Sequence, residues 1–391
     1  MVSFRLPQIS HVLLFTTCNA ILFNSVFALT ATDISECPPI PRHSPPTSVH
    51  DLRADDIRVI AALGDSVTAG LVAKNVNTTY LTKDQFVEYR GLSWIMGGDK
   101  GAASLANYFK NFQPDLYGSS TGDKPARLCE ETFFCLDSRH DPSVDVLNAA
   151  QSGATSNELP EQVDYLTEQI GLHTEHATSW KLVNLFIGFN DASVSCLPGK
   201  SAEQYKANVK NSLIRLFEKV DYVLVNIVGI MQYNDLVHIT DKVPGYKKRF
   251  QGNTTDLLNF ECYCCRHPDG GIKFIGERVK EYNRVLAEVA EELSGSVFND
   301  LMSPFKGKAR KNVSVVFQPM NPIIATVPPH SLSNVDGYHP NTIGYTYLSK
   351  ALWNQLYLPK DRKARIDVFN ASRPVYCPTE HDRIRTHQRI M

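Results

Sequence analysis

The sequence predicts an α/β domain in which a parallel sheet is sandwiched between helices. Two observations carry this. Five short runs are β-branched and continuously apolar: "RVIAALG" (58–64), "VDVLNAA" (144–150), "KLVNLFIG" (181–188), "YVLVNIVGI" (222–230) and "VSVVFQP" (313–319). Strands covered on both faces read this way, whereas half-exposed strands alternate. Helical patterns lie between these runs, and strand–helix alternation is the signature of a parallel sheet with helices on its faces.

Residues 1–28 read as a secretory signal. Arg5 precedes an apolar run from Val12, closed by the small-residue pattern Val26-Phe27-Ala28, with cleavage expected after Ala28. Thr16, Thr17, Asn19 and Asn24 interrupt the run, which favours a cleaved signal over an uncleaved anchor. Residues 29–53 are Pro- and Ser-rich and read as a leader draped over the surface. The α/β domain spans 54–358, and 359–391 form a C-terminal extension whose basic end carries no lipid-anchor signal. The helix opening at Ser201 has Gln204 at capping-box spacing and one apolar stripe through Val209, Leu213, Leu216, Phe217 and Val220. Two more helices are expected over 275–293 and 341–357, the latter introduced by Pro340. Two large insertions occupy roughly 71–140 and 231–272.

With 40 Lys+Arg against 41 Asp+Glu, the chain shows no charge imbalance of the kind a nucleic-acid partner requires. Of nine cysteines, Cys18 falls in the signal, leaving an even set of eight. In an oxidising compartment that set suggests disulfides, whose connectivity stays open. Sequons at Asn77, Asn253, Asn312 and Asn370 fit a glycoprotein surface. The expected location is extracellular, or the lumen of the secretory and endolysosomal pathway.

Sites on open parallel sheets form beyond the carboxyl ends of strands. Gly64-Asp65-Ser66 follows the first run, "NAAQSGATS" closes the second, "GFNDAS" follows the third, and "VDGYHP" lies past the last. Together they supply an acyl-transfer site. Ser66 is the nucleophile, His339 its general base, and Asp336 fixes the imidazole tautomer. The Ser66 amide, the Gly153 amide and the Asn190 side-chain amide are the candidate oxyanion donors. No metal or organic cofactor is required. "GSSTG" (118–122) satisfies G-x-S-x-G around Ser120, but lacks the strand before and helix after that an elbow demands. "DSRH" (137–140) sits at the wrong end of its run. "CYCCRHPDGG", with Cys262, Cys264, Cys265 and His267, reads as disulfides rather than zinc in an exported chain. The loop "MNPIIATVPPHSL" (320–332) either lines an acyl pocket through Ile323, Ile324 and Val327 or packs in the core. Arg90 and Trp94 either face a phosphate headgroup or hold the long insertion, and structural support is the reading adopted.

In order, "LGDSVTAG", "NAAQSGA", "GFND" and "DGYHP" resemble the four blocks of the GDSL, or SGNH, hydrolases. The resemblance covers about 58–358. It implies a three-layer α/β/α sandwich with a five-stranded parallel, flavodoxin-like sheet, and the same roles for Ser66, Gly153, Asn190, Asp336 and His339. "EYRGLSWIMGGD" (88–99), "VVFQP" (315–319) and "ALWNQL" (351–356) are similar to segments of the phospholipase-B-like branch. Phe189 departs from that branch, which usually carries a second glycine there. The branch implies a serine esterase acting on glycerophospholipids and lysophospholipids, with transient contact at a membrane or micelle surface. Two alternatives stand: an esterase for small or carbohydrate acyl esters, and an inactive secreted binding protein on the same fold.

Overall fold

The computed structural model describes residues 29–386 apart from 42, 127, 130–132, 135–139, 233–235, 237, 241, 247, 251–260, 266, 269, 295–311 and 364–366. Its centre is a parallel sheet of β1 (Val59–Gly64), β2 (Lys181–Phe186), β3 (Val223–Val228) and β4 (Val313–Gln318), in spatial order β4-β3-β2-β1. Nearly every residue of these strands is buried, which explains their unbroken apolar character. Three of the polar exceptions, Gln318, Asn226 and Asn184, form a chain across the sheet. Gln318 Nε2 donates to Asn226 Oδ1 and Asn226 Nδ2 to Asn184 Oδ1, both at 3.0 Å, and Asn184 Nδ2 reaches the Ala61 carbonyl.

The fifth expected strand, 144–150, does not form. Val146 adopts φ 50° within a run of turns, so only Asn148 bridges to Ala62. A β-branched residue in the left-handed region breaks the extended backbone that a strand needs. Two separate pieces cover that edge of β1 instead. Ile60 N donates to the Tyr117 carbonyl, and Ala62 N to the Leu147 carbonyl. The sheet thus has four strands, with a broken edge where the fifth was expected.

Among the described residues, the helices that flank the sheet and its site are α1 (Ser66–Ala69), α2 (Leu105–Phe112), α3 (Leu159–Ile170), α4 (Phe189–Ser193), α5 (Ala202–Lys219), α6 (Ile272–Ser294) and α7 (Thr342–Gln355). On one side of the sheet α3, α5 and α6 pack in sequence, with α3 against β1 and α6 against β4. On the other, α2 meets α7 around Trp353, which takes the edges of Tyr108 and Phe109 and stacks on Phe112. Ser201 caps α5 as expected by accepting from Gln204 N. The start of α7 differs from expectation. Its N-cap is Asn341, whose side chain accepts from the Ile343 and Gly344 amides, and Pro340 lies just outside.

The flanks meet each other. Thr30–Ala31 pairs antiparallel with Val375–Tyr376, and Cys37 is bonded to Cys377. Val49 and Leu52 of the leading segment are fully buried, so it enters the core rather than lying wholly on the surface. No helix among the described residues is long and apolar enough to cross a membrane.

From β1 the chain runs out to the broken edge, then crosses back to β2 on the other side. That reversal opens a crevice at the carboxyl ends of β1 and β2, where ligands gather in open α/β sheets.

Candidate active site

Ser66 begins α1 directly at the end of β1. Gly64 makes this junction possible: a Cβ there would lie 2.5 Å from the Phe186 carbonyl of β2. The Gln162 side chain holds the same residue, accepting from Gly64 N at 2.8 Å and donating to its carbonyl at 2.9 Å. Asp65 caps α1 by accepting from Val67 N, and also accepts from the Phe189 backbone. Burial pushes its carboxyl up to about 7.

The Asp336–His339 turn delivers the other partners. Asp336 Oδ1 accepts from the amides of Tyr338 and His339, which fixes its carboxylate. Asp336 Oδ2 lies 2.7 Å from His339 Nδ1, and His339 Nε2 lies 2.7 Å from Ser66 Oγ. A carboxylate only accepts, so in the neutral ring Nδ1 carries the proton and Nε2 is left to receive the Ser66 hydroxyl proton. His339 is fully buried, which disfavours its charged form. The nearby carboxylates of Asp336, Glu261 and Asp65 outweigh that and hold the ring up at about 9.

Gly153 sits at φ 82°, a conformation that suits glycine, and the turn before it is tied to the end of β1 by Gln151 N donating to the Gly64 carbonyl. Among the described residues, neither the Ser66 nor the Gly153 amide donates to a backbone carbonyl. Asn190, in α4 just past β2, uses one side-chain proton on the Ala154 carbonyl at 2.8 Å and retains a second. Its neighbour Asp191 accepts from both the amide and hydroxyl of Ser156, locking the glycine loop to α4. Burial pushes the Asp191 carboxyl up to about 6, against those hydrogen bonds. The five residues expected from the sequence therefore lie at one end of the sheet, Ser66 and Asn190 in short helices and the others in turns, with three of them in one hydrogen-bonded chain.

Val67, the residue after Ser66, lines an apolar groove that is open to solvent. Its walls include Val67, Phe189, Tyr338, Ile324, Val327 and Phe369. Ile323 is not among the lining residues and is 37% exposed. Phe189, the departure from the family pattern, packs edge-on against Phe186 and Tyr338 as part of this wall.

Arg90 and Trp94 support the insertion. Arg90 is buried, bonds Glu88 at 2.6 Å, faces Asp145 at 3.2 Å and donates to the Asn148 carbonyl. Glu88 in turn accepts from the Ser152 hydroxyl at 2.6 Å, so the pair braces the loop that carries Gly153. Trp94 lies edge-on to Phe186. Arg90 was expected as a support, but Glu88, Asp145 and Gln162 were not singled out from sequence, because none of them sits at the carboxyl end of a sheet strand. Ser120 is buried and donates to the Asp145 carbonyl, away from any base. Of "DSRH", 137–139 lie outside the described residues, and His140 donates to the Ala149 carbonyl. Cys262 pairs with Cys265 and Cys264 with Cys196, so the cysteine cluster is a disulfide knot. Asn77 and Asn370 are exposed, Asn312 is half-buried, and Asn253 lies outside the described residues.

Residues 60–352 match the family model described as GDSL-like Lipase/Acylhydrolase, and the chain belongs to that family of ester hydrolases. Two mammalian relatives are both named "Phospholipase B1, membrane-associated". The Mus musculus protein is 30% identical over 87% of this chain, and the Homo sapiens protein 29% over 90%. These alignments take in 22% and 23% of the relatives, so the chain spans less than a quarter of their length. Among solved structures, an acetylxylan esterase from Geobacillus stearothermophilus aligns at 13% identity and TM-score 0.37, covering 79% of this chain and 98% of that one.

Proposed function

We propose that this chain is an exported serine esterase that hydrolyses glycerophospholipids and lysophospholipids through an acyl-enzyme. The observation that carries the reading is the Ser66–His339–Asp336 chain, with both links at 2.7 Å, whose sequence neighbours Val67, Tyr338 and Pro340 line an apolar groove. Ser66 Oγ attacks the ester carbonyl while His339 Nε2 takes its proton. The oxyanion is received by the Ser66 and Gly153 amides and the free proton of Asn190 Nδ2. His339 then protonates the departing glycerol oxygen. Water, deprotonated by the same nitrogen, releases the fatty acid.

Three observations support the lipid substrate: the names of the relatives, the apolar lining of the groove, and its rim. Ile323, Ile343 and Val368 are exposed next in sequence to groove residues Ile324, Gly344 and Phe369, a surface suited to transient contact with a bilayer or micelle. Export is supported by the N-terminal pattern, the sequons and the disulfides.

The test is product analysis on a phosphatidylcholine with two different acyl chains, together with fluorophosphonate labelling. Wild-type protein is expected to label at Ser66 and to release fatty acid. Ser66→Ala should lose roughly 10⁴-fold or more in kcat. Asn190→Ala should lose about 10²–10³-fold in kcat with KM little changed. Full activity in Ser66→Ala would overturn the mechanism. Hydrolysis of short esters alone would overturn the lipid assignment.

A further inference from the structure

We propose that Glu261 is a positioning residue of this site: a second carboxylate that acts through His339, favours the charged imidazole, and so sets the pH at which hydrolysis switches on. The inference rests on the reading that His339 takes the Ser66 proton.

Geometry comes first. A Glu261 carboxylate oxygen, an Asp336 carboxylate oxygen and a His339 ring nitrogen all lie within 4.8 Å of one another. Glu261 is part-exposed as a residue, with its carboxylate turned into the protein. The cysteine knot puts it there. Cys262–Cys265 closes the turn that follows immediately, and Cys264 is tied to Cys196 beyond α4. Tyr263 N donates to Ser193 Oγ at 3.1 Å, fastening the same turn to α4, which carries Asn190. Both imidazole nitrogens are committed, to Asp336 and to Ser66, so the trio is built to hold a proton rather than a cation.

The groups facing Glu261 come from two other elements: His339 and Asp336 from their turn, and Asp65 from the end of β1. Three carboxyls surround one imidazole, and neighbouring carboxylates resist ionising together. Burial, reinforced by Asp336 and Asp65, holds the Glu261 carboxyl up at about 7 despite the pull of His339. Glu261 and His339 therefore titrate as a linked pair. An ionised Glu261 has two effects of opposite sign. It stabilises the imidazolium that forms as the Ser66 proton moves, and it keeps the resting imidazole charged to higher pH. Losing the charge should therefore slow the plateau rate and extend activity toward acid.

The experiment measures kcat/KM and kcat from pH 5 to 10 on a soluble short-chain ester, using full-length, disulfide-intact protein. Glu261→Gln is expected to move the acid limb of kcat/KM down by about one pH unit, a tenfold change in the proton equilibrium, and to lower plateau kcat several-fold. Glu261→Asp, which keeps the charge, is expected to restore most of the wild-type profile. Where the Gln variant fails to fold by circular dichroism, Glu261→Ala gives the same readout. An acid limb that stays in place, or a uniform loss at every pH, overturns the inference. Ser66→Ala is run alongside: if it keeps activity, the underlying mechanism falls. If it is inactive while the Glu261 limb is unmoved, only the role of Glu261 falls.

Discussion

Buried carboxyls are the feature of this protein that individual residues decide. Asp65, Asp191 and Glu261 all have folded pKa values above those of an unfolded chain, because burial penalises their charge. A raised value means the native state binds the proton more tightly. The resulting stability is present below about pH 4 and is lost as pH rises through 6 to 7. His339 acts in the same sense at higher pH, its contribution fading as pH rises through about 9. Exposed carboxylates such as Asp164 and Glu288, lowered by hydrogen bonds from Arg215 and Lys206, work the other way only at more acid pH. Above about pH 7 the buried Lys363 and Lys181, lowered by burial to about 7 and about 8, oppose His339, so the net fall is confined to the acid side. Thermal unfolding should therefore show Tm falling from about pH 4.5 to 7, and Asp65→Asn should flatten that fall. A Tm that climbs across that interval would contradict this account. At this scale Ser66, Asn190, Asp336 and His339 were legible because each stands just past a buried strand or in the last such loop, and Gly153 because it follows a buried apolar run, although that run is not a strand. Glu261 was not, because "ECYCC" advertises its cysteines, and only their pairing carries the glutamate to His339.

At the scale of elements, the site depends on how loops are clamped to strand ends. The 88–99 segment enters the interior as Glu88–Arg90, pairs with Asp145 and grips the Asn148 and Ser152 backbone behind Gly153. Removing one partner of such a buried network leaves uncompensated charge. Arg90→Met should destabilise by about 3–5 kcal/mol and reduce hydrolysis, whereas replacing a surface pair such as Arg284–Glu288 should change stability by under about 1 kcal/mol. Denaturant titration of both variants decides this, and equal effects would refute it. The four strands that formed were legible from continuous apolar runs. Residues 144–150 have the same composition and still failed. Composition reports burial, and this stretch is buried in part, but it does not report a positive φ at Val146 or a neighbouring segment at Tyr117 that takes half the edge. Pro340 misled for a related reason: a proline marks the neighbourhood of a helix start, while the Asn341 side chain fixes its position.

Across the whole molecule, the outlying segments close on each other rather than trailing from the domain. The Cys37–Cys377 bond spans 340 residues, and Trp353 of α7 donates to the Tyr376 carbonyl beneath it. Cross-links across long loops restrict the unfolded chain most in the chain-entropy view, so the Cys37→Ser/Cys377→Ser pair should lose about 2–5 kcal/mol. Differential scanning calorimetry under non-reducing conditions measures this, and an unchanged unfolding temperature would show the bond to be passive. Neither flank announced this partnership in sequence, because eight cysteines admit many pairings. The bond also orders events in time. Synthesis proceeds from the amino end, so Cys37 emerges as a thiol long before its partner exists. Throughout that interval it is open to exchange with other thiols. Its final pairing, which buries both sulfurs, marks the moment at which the catalytic turn at 336–339 and α7 have already been made.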